Sequence, residues 1–315
     1  MKLDPRHLEI LAAIVDHGGL TEGAEALGKS QPSVSRTLSQ LEARIGAPLF
    51  QPGRRPLQPT ELGRALADQG RAVLKAGKTS SDIVARYLTG HTGLVRIGGT
   101  PFFMDGVISG MIALFQKQMP DVRVDQSYGY AAELIEKLRN GTLDVAILPL
   151  RKENVPADLA FQPILAGLNV IACRRDHPLT RKKLVTPGEM GQYSWIAPPA
   201  DSPLYKDLRR ALKKIGAEDF RISFSGGSLA SVIEILSGSD SLTVLPYSVV
   251  FMMRERSVIT ALSLEIGHPE RELGLLVARA HERTPATRRF QSFVVTQFEA
   301  LSRRIGKQQT DKLWR

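Results

Sequence analysis

The chain has 315 residues, enough for two or three domains, with 43% hydrophobic and 23% charged residues, an ordinary soluble composition. Its net charge of +10 suits a nucleic-acid partner, but residues 1–60 hold seven Lys/Arg against six Asp/Glu, so charge alone does not locate a site. The single cysteine, Cys173, excludes an internal disulfide. No run approaches the about 18 apolar residues of a membrane span, and MKLDPRHLE lacks a signal-peptide core, so a cytoplasmic protein is expected.

Residues 21–60 carry the strongest pattern. A small-residue helix over Thr21–Leu27 stops at Gly28, and a Ser-Gln-Pro turn opens a second helix with Val34, Leu38, Leu41 and Ile45 on one face. The opposite face holds Gln31, Ser33, Ser35, Arg36, Ser39 and Gln40, suited to hydrogen bonding with phosphates and base edges. Gln31 and Pro32 stand at the helix start, where free N–H groups favour a phosphate, and Arg36 has the fork to bind guanine O6 and N7. This is the pattern of a helix-turn-helix whose second helix enters the major groove. Pro48, Pro52, Gly53, Pro56 and Pro59 then mark a turn or hairpin, with Arg54 and Arg55 at its tip for phosphate or the minor groove. Leu8, Leu11, Ile14, Val15, Leu27, Val34, Leu38, Leu41, Leu49 and Phe50 are the expected core. Glu42 is expected to be paired within the domain, because a carboxylate near phosphates costs affinity.

Thr60 is the expected N-cap, with Glu61 in the first turn, for a helix running to about Thr89. Leu62, Leu66, Gln69, Val73, Ala76, Ser80, Ile83 and Tyr87 step by alternating four and three residues, a heptad seam with two polar interruptions. We read it as a dimerisation helix in preference to one packed only on its own domain.

From Leu94 strands and helices alternate: strands at 94–98, 122–126 and 143–148 with helices over Met104–Gln118 and Ala131–Arg139 between them. This βαβαβ run implies a parallel sheet, and a second such run begins at 168–174. Strands at 193–197, 221–225 and 241–246, helices over 204–215 and 228–236, a strand at 274–279 and a helix from Pro285 to Ile305 complete it. Two α/β halves joined by chain crossings predict a ligand cleft between lobes. Thr100 and Pro101, Tyr128 and Gly129, Ser202, and Gly226, Gly227 and Ser228 lie in strand-to-helix turns, where hydroxyls and unpaired N–H groups gather. Helix starts favour an anionic or polar group, so the expectation is a small organic acid, with a sugar derivative also compatible. Cys173, in LNVIAC, is expected to be a buried strand thiol.

No nucleophile elbow, Walker loop or dinucleotide fingerprint is present, and the six histidines lack metal-ligand spacing. No cofactor or metal is expected, and no enzyme activity. The competing class is a two-lobed small-molecule-binding protein or enzyme with an accessory helical domain and no DNA role.

The chain resembles the LysR-type transcriptional regulators over its entire length. Ala24, Leu27, Ser30-Gln31-Pro32-Ser33-Val34-Ser35, Leu41-Glu42, Gly46, Pro48-Leu49-Phe50, Thr60 and Gly63 all fall at that family's spacing without a gap. Gly141-Thr-Leu-Asp144-Val-Ala-Ile147, His177-Pro178-Leu179 and Leu245-Pro246 resemble it more loosely. Lys29, Gly23, Pro52, Ser239 and Ser241 depart from its pattern, which moves the expected wing contacts to Arg54 and Arg55. The resemblance implies an α/β fold overall: a winged helix-turn-helix over 1–60, a linker helix over 61–90 and a periplasmic-binding-protein-like effector domain over 91–305. Lobe 1 is expected at about 91–163 and 268–305 and lobe 2 at about 164–267, with a basic tail over 306–315. It further implies DNA contacts at Thr21, Ser30, Gln31, Pro32, Ser33, Ser35, Arg36 and Gln40, on a dyad-symmetric double-stranded promoter site. The implied partners are a small-molecule effector between the lobes, RNA polymerase, and further copies of the chain, as a tetramer or at least a dimer.

Overall fold

The computed structural model describes residues 3–53, 56–200, 202–216, 220–254 and 259–311, the last few as backbone alone. It divides into two compact units, Met1–Arg86 and Tyr87–Arg315.

The first unit opens with α1 (Pro5–His17), capped by Asp4, whose Oδ1 accepts from Arg6 N at 2.9 Å, and closed by Gly18. α2 (Leu20–Ala26) and α3 (Gln31–Ile45) follow. Between them Gly28 adopts φ +62°, and Lys29 N donates to the Ala24 carbonyl at 2.9 Å. Ile10, Leu11, Ile14, Ala24, Val34, Leu38, Leu41, Leu49 and Phe50 form the core, with Val15 and Leu27 packed on its edge. Val34, Leu38 and Leu41 bury the expected stripe of α3, so amphipathic periodicity directly sets that helix's orientation. Beyond it an antiparallel bridge joins Phe50 to Pro59, and Gln51 N donates to the Gln58 carbonyl at 2.8 Å, making a short hairpin.

α4 (Glu61–Leu88) starts where Thr60 Oγ1 accepts from Gly63 N at 3.0 Å. Its buried residues are Gly63, Ala67 and Gly70, a stripe of small side chains on which the helix seats against its own unit. Arg71 reinforces this contact by pairing with Asp16 at 2.6 Å. The distal half is different: Ile83, Val84, Tyr87 and Leu88 are all more than half exposed.

In the second unit β1 (Gly93–Gly99), β2 (Val122–Tyr128) and β3 (Val145–Leu150) pair in parallel, as a βαβαβ run requires. α5 (Pro101–Phe103) leads through a π-helical turn into α6 (Ser109–Gln118), and α7 (Ala131–Arg139) makes the second crossover. β4 (Leu159–Leu165) and β10 (Glu272–Ala278) complete a five-stranded sheet of order β2-β1-β3-β10-β4, with β10 antiparallel to both neighbours.

The chain then crosses to a second sheet. β5 (Asn169–Arg174) pairs antiparallel with β8 (Thr243–Pro246) and β9 (Ile259–Ala261), while β6 (Ser194–Ala197) and β7 (Arg221–Ser225) pair in parallel. A bridge from Trp195 to Leu242 links the two sets. The expectation that 168–174 begins a second fully parallel run is therefore corrected: β5 arrives from the first sheet and runs against its neighbours. α8 (Pro187–Gly191), α9 (Pro203–Lys214), α10 (Leu229–Ser237) and α11 (Tyr247–Arg254) cover this sheet, and α12 (Pro285–Asp311) packs on the first through Phe290, Val294 and Phe298. Of these, β4, α8, α11 and β9 are absent from the sequence-based expectation. No helix among the described residues is long and apolar enough to cross a membrane.

Two motif segments turn out to be structural. Asp144 accepts from Arg96 N at 2.7 Å and from its guanidinium at 2.5 Å, clamping the loop before β3. His177 is fully buried; its Nδ1 accepts from Leu179 N at 3.1 Å, so Nε2 carries the proton that it donates to the Asp240 carbonyl, also at 3.1 Å. Ser239 and Ser241 close their loop on each other, with Oγ atoms 2.9 Å apart.

Candidate nucleic-acid interface and inter-lobe cleft

α3 is two-sided. Opposite its buried stripe, Gln31, Pro32, Ser33, Arg36, Ser39 and Gln40 are exposed and Ser35 is half-buried. Pro32 lies in the first helical turn, where its missing N–H costs nothing. Ser30 stands at the N-cap with its side chain making no cap bond, so its hydroxyl is unspent on the helix. Thr21 is exposed on α2, and Lys29, beside the turn, is exposed as well. Ser39 Oγ bonds back to the Ser35 carbonyl at 3.1 Å, which leaves Gln31, Ser33, Arg36 and Gln40 as exposed hydrogen-bonding groups over the first ten residues of the helix. Glu42 Oε1 accepts from Leu49 N at 2.7 Å and is used within the unit. The proposed wing contacts Arg54 and Arg55 lie outside the described residues.

Between the two sheets of the second unit is a cavity of about 260 Å³. Of the turn residues singled out from the sequence, Thr100, Pro101, Ser202 and Gly227 line it together. Tyr128, Gly129, Gly226 and Ser228 do not. Tyr128 is exposed, and its hydroxyl donates to Asp105 Oδ1 at 2.5 Å, a bond that, with partial burial, pushes the phenol's pKa up. Gly129 N and Gly226 N are spent on the Gly99 and Ala197 carbonyls, at 3.1 and 3.0 Å. Tyr130, Asn169, Tyr247, Ser248 and Arg271 line the cavity instead; only the crossing of the chain between sheets brings them there.

Two of the helix starts near the cavity spend their N-cap hydroxyls on their own first turns. Ser202 Oγ caps Tyr205 N at 3.1 Å, and Ser228 Oγ caps Ser231 N at 3.2 Å. Thr100 differs: it is only 8% exposed, and its Oγ1 is buried with no hydrogen-bond partner among the described residues. Cys173 sits in the core of the second sheet, where burial pushes its thiol up to about 12. It is an apolar filler and not a nucleophile.

Comparison with known proteins follows the same two-part division. Residues 5–64 match the model of the bacterial regulatory helix-turn-helix proteins of the lysR family, and residues 89–299 match the LysR substrate binding domain. The chain is 26% identical over 296 residues to the uncharacterized HTH-type transcriptional regulator YnfL of Escherichia coli, covering 92% of this chain and 97% of that one. It is 28% identical over 282 residues to the HTH-type transcriptional regulator GalR of Pseudomonas putida, covering 89% and 70% respectively. Among solved structures, CbnR, a LysR family transcriptional regulator, superposes with a TM-score of 0.72 at 18% identity, over 93% of this chain and 100% of that one. Full-length CbnR complexed with its target DNA gives a TM-score of 0.65 at 18% identity, over 94% and 100%. At that identity the likeness establishes the fold alone.

A helix-turn-helix joined to a two-lobed ligand-binding unit defines a transcriptional regulator. The chain belongs to the LysR family of these regulators.

Proposed function

We propose that α3 is the reading head of this regulator, with Ser33, Ser35, Arg36 and Gln40 facing base edges and Thr21, Ser30, Gln31 and Pro32 facing phosphates. Lys29 joins the phosphate set, since an exposed ammonium beside the turn sits next to the helix start. Arg54 and Arg55 are assigned to the wing. The reading rests on one observation: the polar side of α3 is exposed while Val34, Leu38 and Leu41 anchor the other side. One recognition helix spans only a few base pairs, so two copies about 34 Å apart reading a dyad are required. The exposed apolar groups Ile83, Val84, Tyr87 and Leu88 on α4 supply the seam for that dimer. A tetramer through the second unit is the assembly assigned, acting in the cytoplasm, with RNA polymerase as the downstream contact and no catalytic step.

The inter-lobe cavity is assigned to the effector, with Thr100, Pro101, Ser202 and Gly227 among its contacts. The test of the DNA assignment is footprinting with Arg36→Ala, whose side chain is exposed and carries no packing. Loss of sequence-specific protection with an unchanged far-UV spectrum is expected, corresponding to about 1–3 kcal/mol of discrimination at one base pair. Protection identical to that of the parent would overturn the assignment of α3. In parallel, Thr100→Val is expected to blunt the response to effector.

A further inference from the structure

This inference rests on the effector reading of the cavity and concerns the class of molecule it takes. At about 260 Å³ the cavity exceeds the about 150 Å³ that accommodates a benzene ring, a size that suits a one- or two-ring organic compound. Its walls are aromatic and aliphatic, with Phe102, Phe103, Leu204, Tyr247, Leu273 and Ile305 converging from both lobes. Seven of the lining residues are prolines, which bring no N–H to offer an anion.

The charge balance points the same way. Among the described lining residues the sole charged side chain is Arg271. Its Nη1 donates to Asp207 Oδ1 at 3.1 Å, and its Nη2 donates to Asp207 Oδ2. Asp207 is buried on α9 and receives Asn169 Nδ2 as well, at 2.8 Å. The guanidinium therefore reaches the cavity already engaged in a bidentate pair with Asp207, a carboxylate that the more exposed Arg210 also approaches at 3.7 Å. A carboxylate ligand would have to share the Arg271 guanidinium with Asp207, and burying an incompletely paired charge is strongly disfavoured. The hydroxyl caps that would hold an anion are occupied by their own helices, as at Ser202. Among the described lining residues, Thr100 Oγ1 is the fully buried side-chain atom left without a partner, and rotation about a single bond can turn it toward a ligand.

We infer that the effector is an uncharged, predominantly apolar ring compound carrying one hydroxyl or carbonyl group, which pairs with Thr100. This replaces the organic acid expected from helix starts alone. The test is calorimetric titration of the full-length protein at pH 7 with 1-naphthol and with 1-naphthoate, a neutral and an anionic probe of similar size. At least tenfold tighter binding of 1-naphthol is expected. Leu204→Trp, which fills the cavity, should abolish that binding, and Thr100→Val should weaken it several-fold without loss of folding. Asp207→Asn frees Arg271 and should raise the affinity for 1-naphthoate; should that variant fail to fold, the parent comparison still decides. If 1-naphthoate binds the parent as tightly as 1-naphthol and Leu204→Trp removes it, the cleft stands and the neutral-ligand inference falls. If neither probe binds, or if binding survives Leu204→Trp, the cleft reading falls with it.

Discussion

The seat of α4 on its own unit can be tested with two glycines of one helix. A Cβ added at Gly70 would lie 2.0 Å from the Leu8 carbonyl oxygen and 2.9 Å from Ala12 Cβ, whereas a Cβ at Gly77 meets nothing within 4 Å. Either Gly→Ala change raises intrinsic helix propensity by about 1 kcal/mol, so Gly77→Ala should stabilise by up to that amount. Gly70→Ala carries the same gain and must also push a helix off a backbone carbonyl that cannot swing aside. Overpacking of this kind costs about 1–3 kcal/mol, and the backbone partner places the value near about 3. The difference between the variants isolates the clash, because propensity is common to both. It corresponds to roughly a five- to 150-fold difference in the opening equilibrium. Hydrogen exchange of α1 peptides in the full-length protein reads that equilibrium for the first unit separately from the second. The reasoning is refuted if Gly70→Ala protects α1 as well as Gly77→Ala does.

Two further outcomes follow from the hydrogen bonds and burial. Burial holds the His177 pKa below its ordinary value of 6.5. The unfolded chain therefore binds a proton that the folded chain refuses: stability is complete above about pH 6.5 and declines as pH falls below it, by at most about 1.36 kcal/mol per pH unit. Urea unfolding at pH 7.5 and 5.5 should show a larger loss in the parent than in His177→Gln, and an equal loss in both would contradict the buried neutral ring. Glu42→Ala leaves the N–H of buried Leu49 without its 2.7 Å acceptor and should cost the first unit about 1–3 kcal/mol. Exchange of the Leu49 amide reports it, and protection unchanged from the parent would show the bond to be dispensable.

Local periodicity determined a great deal of this protein. The three- and four-residue steps of Val34, Leu38, Leu41 and Ile45 place the polar side of α3 outward whatever surrounds it, because a helix with one apolar stripe has a single way to bury it. Strand alternation and glycine turns likewise announced the parallel β1, β2 and β3 with α7 between them. The elements that went unseen lack such a signal. α11 is apolar on nearly every side and wholly buried over Tyr247–Phe251, so it shows no amphipathic contrast. β4 carries Pro163 and is half exposed, and β9 is three residues long.

Tertiary structure decided the remainder, above all where residues distant in the chain meet. The small-residue stripe Gly63, Ala67 and Gly70 is silent in hydropathy, so only packing revealed which side of α4 is seated on its own unit and which is exposed. Thr100 and Ser202 were legible as turn residues, but Tyr128 ends β2 exposed, whereas Tyr130, past the strand at the N-cap of α7, lines the cavity. Arg271 and Asp207 lie 64 residues apart, and only the chain's return crossing sets one against the other. Sequence fixes the groups a site can draw on. The fold fixes their pairing, and whether the cavity holds a free charge depends on that pairing.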